Sequence, residues 1–434
     1  MIAVLVTATQ ILIAGMAAAR WLDPTITPRR LLGTAWLLGS GICAFILLAL
    51  SLMGIVWTPM SFTLAFCVTV IALWVRCPAN PTTALRAGCQ PPTANRRSIA
   101  ALAIDLCTLL LIVGHGAYAL MVRGAEWDFW AIWGLKARVF LAHGGIDWSF
   151  LENPHHAYSH PDYPLLLPLN YVQVVLQQGE WSDRFLGLMT TFFGAALLLI
   201  LRDLFEEELR RPLAAALATF AVASMAFATV GMADAPMIAF GTAALLTIRR
   251  GSLPLGSVLL GLAAFTKNEG LALMVAAAVA LWAHRRSAAF RLWPAAAIAA
   301  PWLIIRAVHA LPTDVVSGNL VGRALRSFAR IPELARVLAD HPPREPLFWI
   351  AIAAALVVYA RQLQRERFVL VAVVLQLTFY LGVYLVTPYD IEWHVASSWL
   401  RLLQHVAIPF AFVALAFTAK AAVSSDADVA RSAA

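Results

Sequence analysis

The sequence predicts an all-α polytopic membrane protein with about 13 transmembrane helices, plus interfacial helices in its first outer loop. Three observations predict it. Of its residues, 61% are hydrophobic and only 13% charged, with a mean hydropathy of +0.77; soluble globular chains are about 45–50% apolar and about 25% charged. Apolar stretches recur along nearly the whole chain, approaching the roughly 20 residues that cross about 30 Å of hydrocarbon as a helix. These stretches are continuous and rich in Leu and Ala, without the alternation of a β-barrel, and only helices or closed barrels satisfy every backbone group in lipid.

Spans are expected near 2–19, 31–54, 60–75, 99–122, 184–201, 212–230, 234–249, 254–266, 270–283, 290–307, 346–360, 368–387 and 404–419. The pair flanking Lys267 is short, tilted or broken. A length of 434 residues would suit two or three soluble domains of roughly 100–200 residues each, yet no soluble segment is long enough to be one. The chain divides into an N-terminal three-helix extension (1–75), a linker rich in Pro, Ala and Thr (76–98), a membrane core (99–307) carrying the loop 123–183, C-terminal helices and loops (308–420), and a tail (421–434) expected to be disordered.

Loop charge orients these spans. Short loops rich in Lys and Arg face the cytoplasm. Arg29-Arg30, Arg76 to Arg97, Arg202 to Arg211, Arg249-Arg250, His284 to Arg286 and Arg361 to Arg367 all fall on one side if the N-terminus lies outside. The net charge of +8 is mostly this signal, and no nucleic-acid partner is expected. The first span lacks the positive n-region of a cleaved signal peptide, so it is expected to stay as a helix. Cys43, Cys67 and Cys107 lie in spans, while Cys77 and Cys89 share a cytoplasmic loop without metal-ligand spacing, so no disulfide framework is expected.

The chemistry gathers in the outer loops. Glu126, Asp128, Lys136 and Arg138 fall close together where the fourth span ends, with Trp127, Trp130 and Trp133 among them. An isolated carboxylate such as Asp128 in so apolar a stretch is costly without a task. If 127–142 is helical, Asp128, Trp133 and Lys136 do not share one face. His155, His156 and His160 precede Asp162 and Tyr163; their spacing matches no tight metal site, so no metal ligands are assigned. The apolar stretch 164–178 is too short to span and is expected to lie in the interface plane. Asp234 opens a span, where it either caps the helix or serves a site. Thr266-Lys267-Asn268-Glu269 places a cation, an amide and a carboxylate in one turn between apolar helices. Near the C-terminus, Glu392, His394 and Arg401 add to the same side. A site built from these groups suits an amphiphile with a buried tail and a polar head: carboxylates activate a hydroxyl, cations hold a phosphate, and aromatics stack on sugar rings.

The order of these features resembles a known family. A span ends in a loop acid, followed by a Lys/Arg-bearing helix and Gly144-Gly145. Asp162-Tyr163-Pro164-Leu165, Trp181-Ser182-Asp183-Arg184, Ala233-Asp234 and Gly261 to Gly270 with Thr266-Lys267 come next. Over roughly residues 99–307 this resembles the GT-C superfamily of polytopic glycosyltransferases, on the bacterial branch that holds lipid A aminoarabinose transferases and protein O-mannosyltransferase-like proteins. The resemblance implies inverting transfer of a sugar from a polyprenyl-phosphate carrier to a glycan, lipid or protein acceptor, on the periplasmic face of the bacterial inner membrane. Asp128 matches the acid of the first outer loop, with Glu126 its rival, and Asp234 matches the second acid. Lys136 or Arg138 matches the basic residue after the first acid, and Lys267 and Arg184 are expected near the donor phosphate. Trp130, Asp162, Tyr163, Asn268, Glu269, Glu392, His394 and Arg401 complete the expected substrate contacts. No cofactor is assigned, and dependence on a divalent metal is left open. The chain departs from the pattern by its three extra N-terminal helices and by lacking a large soluble C-terminal domain. The alternative is a multi-spanning lipid or solute transporter or flippase; such proteins place charges near the midplane and carry internal repeats, whereas here charges sit at one rim and no repeat is evident.

Overall fold

The computed structural model describes the backbone of residues 2–76, 98–313, 319–358 and 366–432, and side-chain surroundings as far as Ala416. The linker expected over 76–98, with Cys77 and Cys89, therefore lies almost wholly outside the described residues. All regular structure among the described residues is helical.

The principal helices in chain order are α1 (Ile2–Leu22), α2 (Pro28–Leu52), α3 (Pro59–Arg76), α4 (Ile99–Val122), α5 (Gly134–His143), α6 (Leu166–Gln178), α7 (Leu188–Leu209), α8 (Pro212–Ala221), α9 (Asp234–Arg249), α10 (Leu253–Ala264), α11 (Asn268–His284), α12 (Trp293–Val308), α13 (Leu320–Arg326), α14 (Ile331–Asp340), α15 (Pro346–Val358), α16 (Arg367–Val386) and α17 (Ile391–Ser432). Their ends carry local signals. Proline opens α2 and α8 in the first turn, where its missing N–H has no partner to lose. Gly144 and Gly179 close α5 and α6 in the left-handed region, at φ 76° and 83°, which a residue without Cβ enters at little cost.

Each expected span coincides with a helix, but among the described residues eight helices are long and apolar enough to cross a membrane. The others are shorter: α8 has 10 residues, α9 16, α10 12, α11 17 and α15 13. At about 1.5 Å per residue, ten residues rise only ~15 Å. The stretch 212–230 leaves the α-helix at Ala221 and continues into a 3₁₀ turn at Ser224–Ala226. Helix α9 is buried from Asp234 to Ile248, and most of α10 is buried too. Short helices and the turns between them are tolerated at membrane depth where protein encloses them. The tail expected to be disordered continues α17 in backbone as far as Ser432.

The N-terminal helices are not a separate layer. Helix α2 packs on α6 and α7, and α1 packs on α2 and α6. The α1–α2 crossing is close: a Cβ on Gly15 would lie 1.7 Å from the Ala35 carbonyl oxygen, and one on Gly39 1.8 Å from that of Ile11. Small residues that bring backbones together are a common basis of helix association in lipid. Only α3 is peripheral, with Phe62 and Phe66 alone buried.

Helix α6 corrects a second expectation. It does not lie in the interface plane with one face to lipid: every residue from Leu166 to Leu176 is buried. It is enclosed by α1, α2 and α5. Asn170 Nδ2 donates to the Ser40 and Leu166 carbonyls at 3.1 and 2.9 Å, and Gln173 Nε2 to Gln10 Oε1 at 3.2 Å. Enclosure gives the amide N–H groups of Asn170 and Gln173 partners that lipid would not.

Ion pairs sort to the two ends of the bundle as the loop charges require. At one end, Arg29 pairs with Glu206, Arg30 with Asp203 and Glu207, Arg250 with Asp23 and Glu207, and Arg249 with Glu208 and Glu366. At the other end, His309 pairs with Glu152, Arg306 with Asp162, and Arg401 with Asp128. Each of these pairs joins segments placed on the same side by the alternation of spans. The second end holds the candidate site.

Candidate active site

The site is assembled from the start of α9, the turn between α10 and α11, the first half of α17, and the segment after α4. Asp234 is its centre and is buried. Its Oδ1 accepts from Lys267 Nζ at 3.0 Å and from His405 Nε2 at 2.9 Å, and its Oδ2 lies 3.6 Å from Arg401 Nη1. Lys267 also meets Glu269 Oε1 at 2.9 Å. Arg401 donates to Asp128 Oδ2 at 2.7 Å. Side-chain exposure is 24% at Asp128 and 26% at Arg401 but 2% at Asp234 and 1% at His405, so the Asp128–Arg401 pair forms the rim and Asp234–His405 the floor.

Local sequence explains the placement. Asp128 immediately precedes a π-helical turn, Phe129–Trp133; such wider turns are rare and concentrate at functional sites. The turn separates Asp128, aimed at Arg401, from Lys136, aimed elsewhere. Arg401 and His405 are four residues apart on α17, hence on one face, and both reach Asp234.

A polar chain runs inward from the floor. Gln376 Nε2 donates to Tyr380 Oη at 2.7 Å and to the Glu269 carbonyl at 2.9 Å, and Tyr380 Oη lies 3.0 Å from His405 Nδ1. The assignment that pairs Tyr380 Oη and both His405 nitrogens has Tyr380 donating to Nδ1 and a proton on Nε2 directed at Asp234. Two acceptor oxygens stay open: Glu269 Oε2 and Gln376 Oε1 are buried without a partner.

The second group touches the first through the same turn. Asn268 Nδ2 donates to Asp162 Oδ2 at 2.9 Å, Arg306 Nη2 lies 3.5 Å from that oxygen, and Trp302 Nε1 donates to the Asp162 carbonyl at 3.2 Å. Lys136 lies beside them, fully buried, with Nζ donating to the His160 carbonyl at 2.5 Å. The rings of Trp133 and Tyr163 lie 5.8 and 5.9 Å from Nζ.

The expected residues thus fall into three sets. Asp128, Asp234, Lys267, Glu269 and Arg401 meet in one cluster, and Asp162, Asn268, Tyr163 and Lys136 surround its neighbour. Lys136, expected at the donor phosphate, has no exposed surface and instead ties down the loop at His160. Glu126, Trp130, Arg138 and Arg184 point outward and are exposed, Arg184 over the Phe185 ring. Glu392 is an exposed partner of Arg336 at 3.7 Å, and His394 bonds Thr387 Oγ1 at 2.8 Å. No group of three or more His, Cys, Asp and Glu side chains among the described residues is arranged to hold a metal ion.

The chain matches no known protein family, no curated protein and no solved structure. The site is therefore interpreted from its own geometry. Sequence reasoning missed His405, Tyr380, Gln376 and Arg306. A signal existed for three of them: His405 follows Arg401 by one helical turn, and Gln376 and Tyr380 are four residues apart in an otherwise apolar span, where polar groups mark function by default.

Burial lowers the Lys136 ammonium from the ordinary lysine value of 10.5 to about 7, against the opposing pull of Asp162. The unfolded chain then binds one more proton than the folded chain between pH 7 and 10.5. Stability from this group rises with pH across that window, by up to about 1.4 kcal/mol per pH unit. The unfolding temperature of the wild type should accordingly climb relative to Lys136→Met between pH 7 and 9. A constant offset between the two proteins would show that Lys136 stays charged in the fold.

Proposed function

We propose that the chain is a glycosyltransferase of the bacterial inner membrane that moves a sugar from a polyprenyl-phosphate donor to a glycan, lipid or protein acceptor at the periplasmic end of the bundle. The observation that carries this reading is the convergence of Asp128, Asp234, Lys267, Glu269 and Arg401, from distant parts of the sequence, on one partly open site at one end of the helices. Carboxylates and fixed cations side by side suit a reaction that takes a proton from a hydroxyl and releases an anion.

In this mechanism Asp128 accepts the acceptor's hydroxyl proton as its oxygen attacks the anomeric carbon. The bond from that carbon to the phosphate oxygen breaks, and the lipid phosphate departs with the bonding electrons. Lys267 and Arg401 receive it, exchanging part of their contact with Glu269 and Asp128 for the phosphate oxygens. A hydrocarbon groove supports the lipid substrate: about 450 Å³ of space beside α2 is lined by apolar side chains including Ile42, Phe45, Leu262 and Ile298. Helix α10 forms one wall and ends just before Lys267, so tail and head would lie along one helix.

A second reading is favoured by one observation. Asp234, Lys267 and His405 are buried, deeper than a rim, and buried ionisable chains also occur in proton-coupled transporters. The deciding experiment incubates purified protein in detergent with radiolabelled polyprenyl-phosphate sugars and a lipid extract as acceptor. Transfer of label supports the transferase. No transfer from any donor, together with substrate-dependent flux in proteoliposomes, replaces it by the transporter.

A further inference from the structure

The segment 320–340 has not entered the site, yet its surface is unusual. It runs through α13, a 3₁₀ turn at Ser327–Arg330, and α14 without leaving helical geometry. Val321, Leu325, Phe328 and Ile331 follow one another at intervals of four, three and three, which keeps them on one face. They are 71%, 77%, 79% and 46% exposed. Beyond Ile331 the segment is held by protein: Leu334 and Val337 are buried, and α14 packs on α16 and α17.

Two arginines fix the height of the segment. Arg323 Nε donates to the Val386 carbonyl at 2.8 Å, and Arg330 Nη1 to the Thr387 and Leu385 carbonyls at 3.0 and 3.3 Å. Those carbonyls belong to the last turn of α16 and the residue after it, and α16 is long and apolar enough to cross a membrane. Arg323 and Arg330 therefore satisfy carbonyls that the helix end leaves open, and they pin the segment where a span leaves the hydrocarbon. Between 319 and 345 there are five arginines, at 323, 326, 330, 336 and 344, against Glu333, Asp340 and Glu345.

We propose that residues 320–337 form an amphipathic strap that lies flat in the lipid leaflet at the site end, with Val321, Leu325, Phe328 and Ile331 inserted among the acyl chains and the arginines at the phosphate level. Four large apolar side chains at this exposure are uneconomical in water and normal for a helix in the interface plane, and the excess of arginine matches lipid phosphates. The strap's contact with α17, which carries Arg401 and His405, places it beside the site. Its argument is independent of the reaction the site performs.

The test uses the full chain in lipid nanodiscs, with the five native cysteines replaced and one cysteine introduced by Phe328→Cys, labelled with an environment-sensitive fluorophore. Leu325→Cys provides a second probe on the same face, and Glu333→Cys a reference on the polar side. Lipids brominated near the headgroup should quench the Phe328→Cys and Leu325→Cys labels at least about twofold more than the Glu333→Cys label, with iodide showing the reverse order. Equal quenching by iodide at all three positions would overturn the strap. So would labels shielded from both quenchers only when nanodiscs hold two copies, which would assign the face to a second chain.

Discussion

Replacing Asp234 by alanine is expected to abolish activity and to lower stability by about 3–5 kcal/mol, the usual cost of breaking a buried ion pair from one side. Asp234 touches Lys267, His405 and Arg401 together. With it in place, the cluster holds three carboxylates (Asp128, Asp234 and Glu269) against the two permanent cations Lys267 and Arg401. Without it, the charges match in number but not in place: the deepest carboxylate is gone, and Lys267 keeps only Glu269. His405 loses the acceptor for its Nε2 proton, leaving a buried donor unpaired at a cost of about 1–3 kcal/mol. Asp234→Asn should fall between alanine and wild type, since the amide oxygen still accepts from one donor. Asp234→Asn with Lys267→Gln should recover part of the stability lost by Lys267→Gln alone while remaining inactive, because one buried carboxylate, Glu269, is then left without its lysine instead of two. Thermal unfolding of the four proteins in one detergent gives the coupling as a double-mutant cycle. Wild-type unfolding temperatures for Asp234→Ala would show that the network does not carry the fold at this end.

The bundle and the two-ended distribution of its charges were legible because both depend on properties that each segment displays alone: apolar length and the arginines beside it. Arg29, Arg30, Arg249 and Arg250 announce one end without reference to the acids they meet. Depth was less legible. Helices α9, α10 and α11 read as spans because their residues are apolar, and whether an apolar helix faces lipid or other helices depends on neighbours that local sequence does not name. The same ambiguity hid α6, whose Asn170 and Gln173 find partners in α1 and α2. In the site, the acids and cations of loops and turns stood out against apolar surroundings, which is why Asp128, Asp234, Lys267, Glu269 and Arg401 could be singled out. Their mutual contacts could not, since Arg401 and Asp128 are 273 positions apart. Lys136 shows the opposite error: a lysine in an outer loop reads as a phosphate contact, and only the packing of Trp133, Tyr163 and His160 shows it turned inward.

Asp128→Asn is expected to reduce turnover by about 10²–10⁴-fold, the usual contribution of a general base, with little change in unfolding temperature. The pair it forms with Arg401 is at the rim, and partly exposed ion pairs contribute about 0–1 kcal/mol; Arg401 keeps Asp234 as a second partner. The structure adds a rival that decides the role. Asp128 Oδ2 is held by Arg401, which leaves Oδ1 as the oxygen that takes the proton. Glu269 is arranged in the same way, with Lys267 on Oε1 and Oε2 without a partner, but it is more deeply buried. Glu269→Gln keeps the size and one acceptor of the side chain and removes its charge, which makes it the matched comparison. If Asp128 is the base, Asp128→Asn loses the chemical step in single-turnover transfer while Glu269→Gln weakens donor binding through Lys267. If Glu269 is the base, the pattern inverts: Glu269→Gln loses the chemical step, and Asp128→Asn, by freeing Arg401 for the phosphate, binds donor at least as well as wild type. Arg401→Gln is the control for donor binding: it removes the contact to Asp128 and the cation for the phosphate at once, so it should lose donor affinity under either assignment.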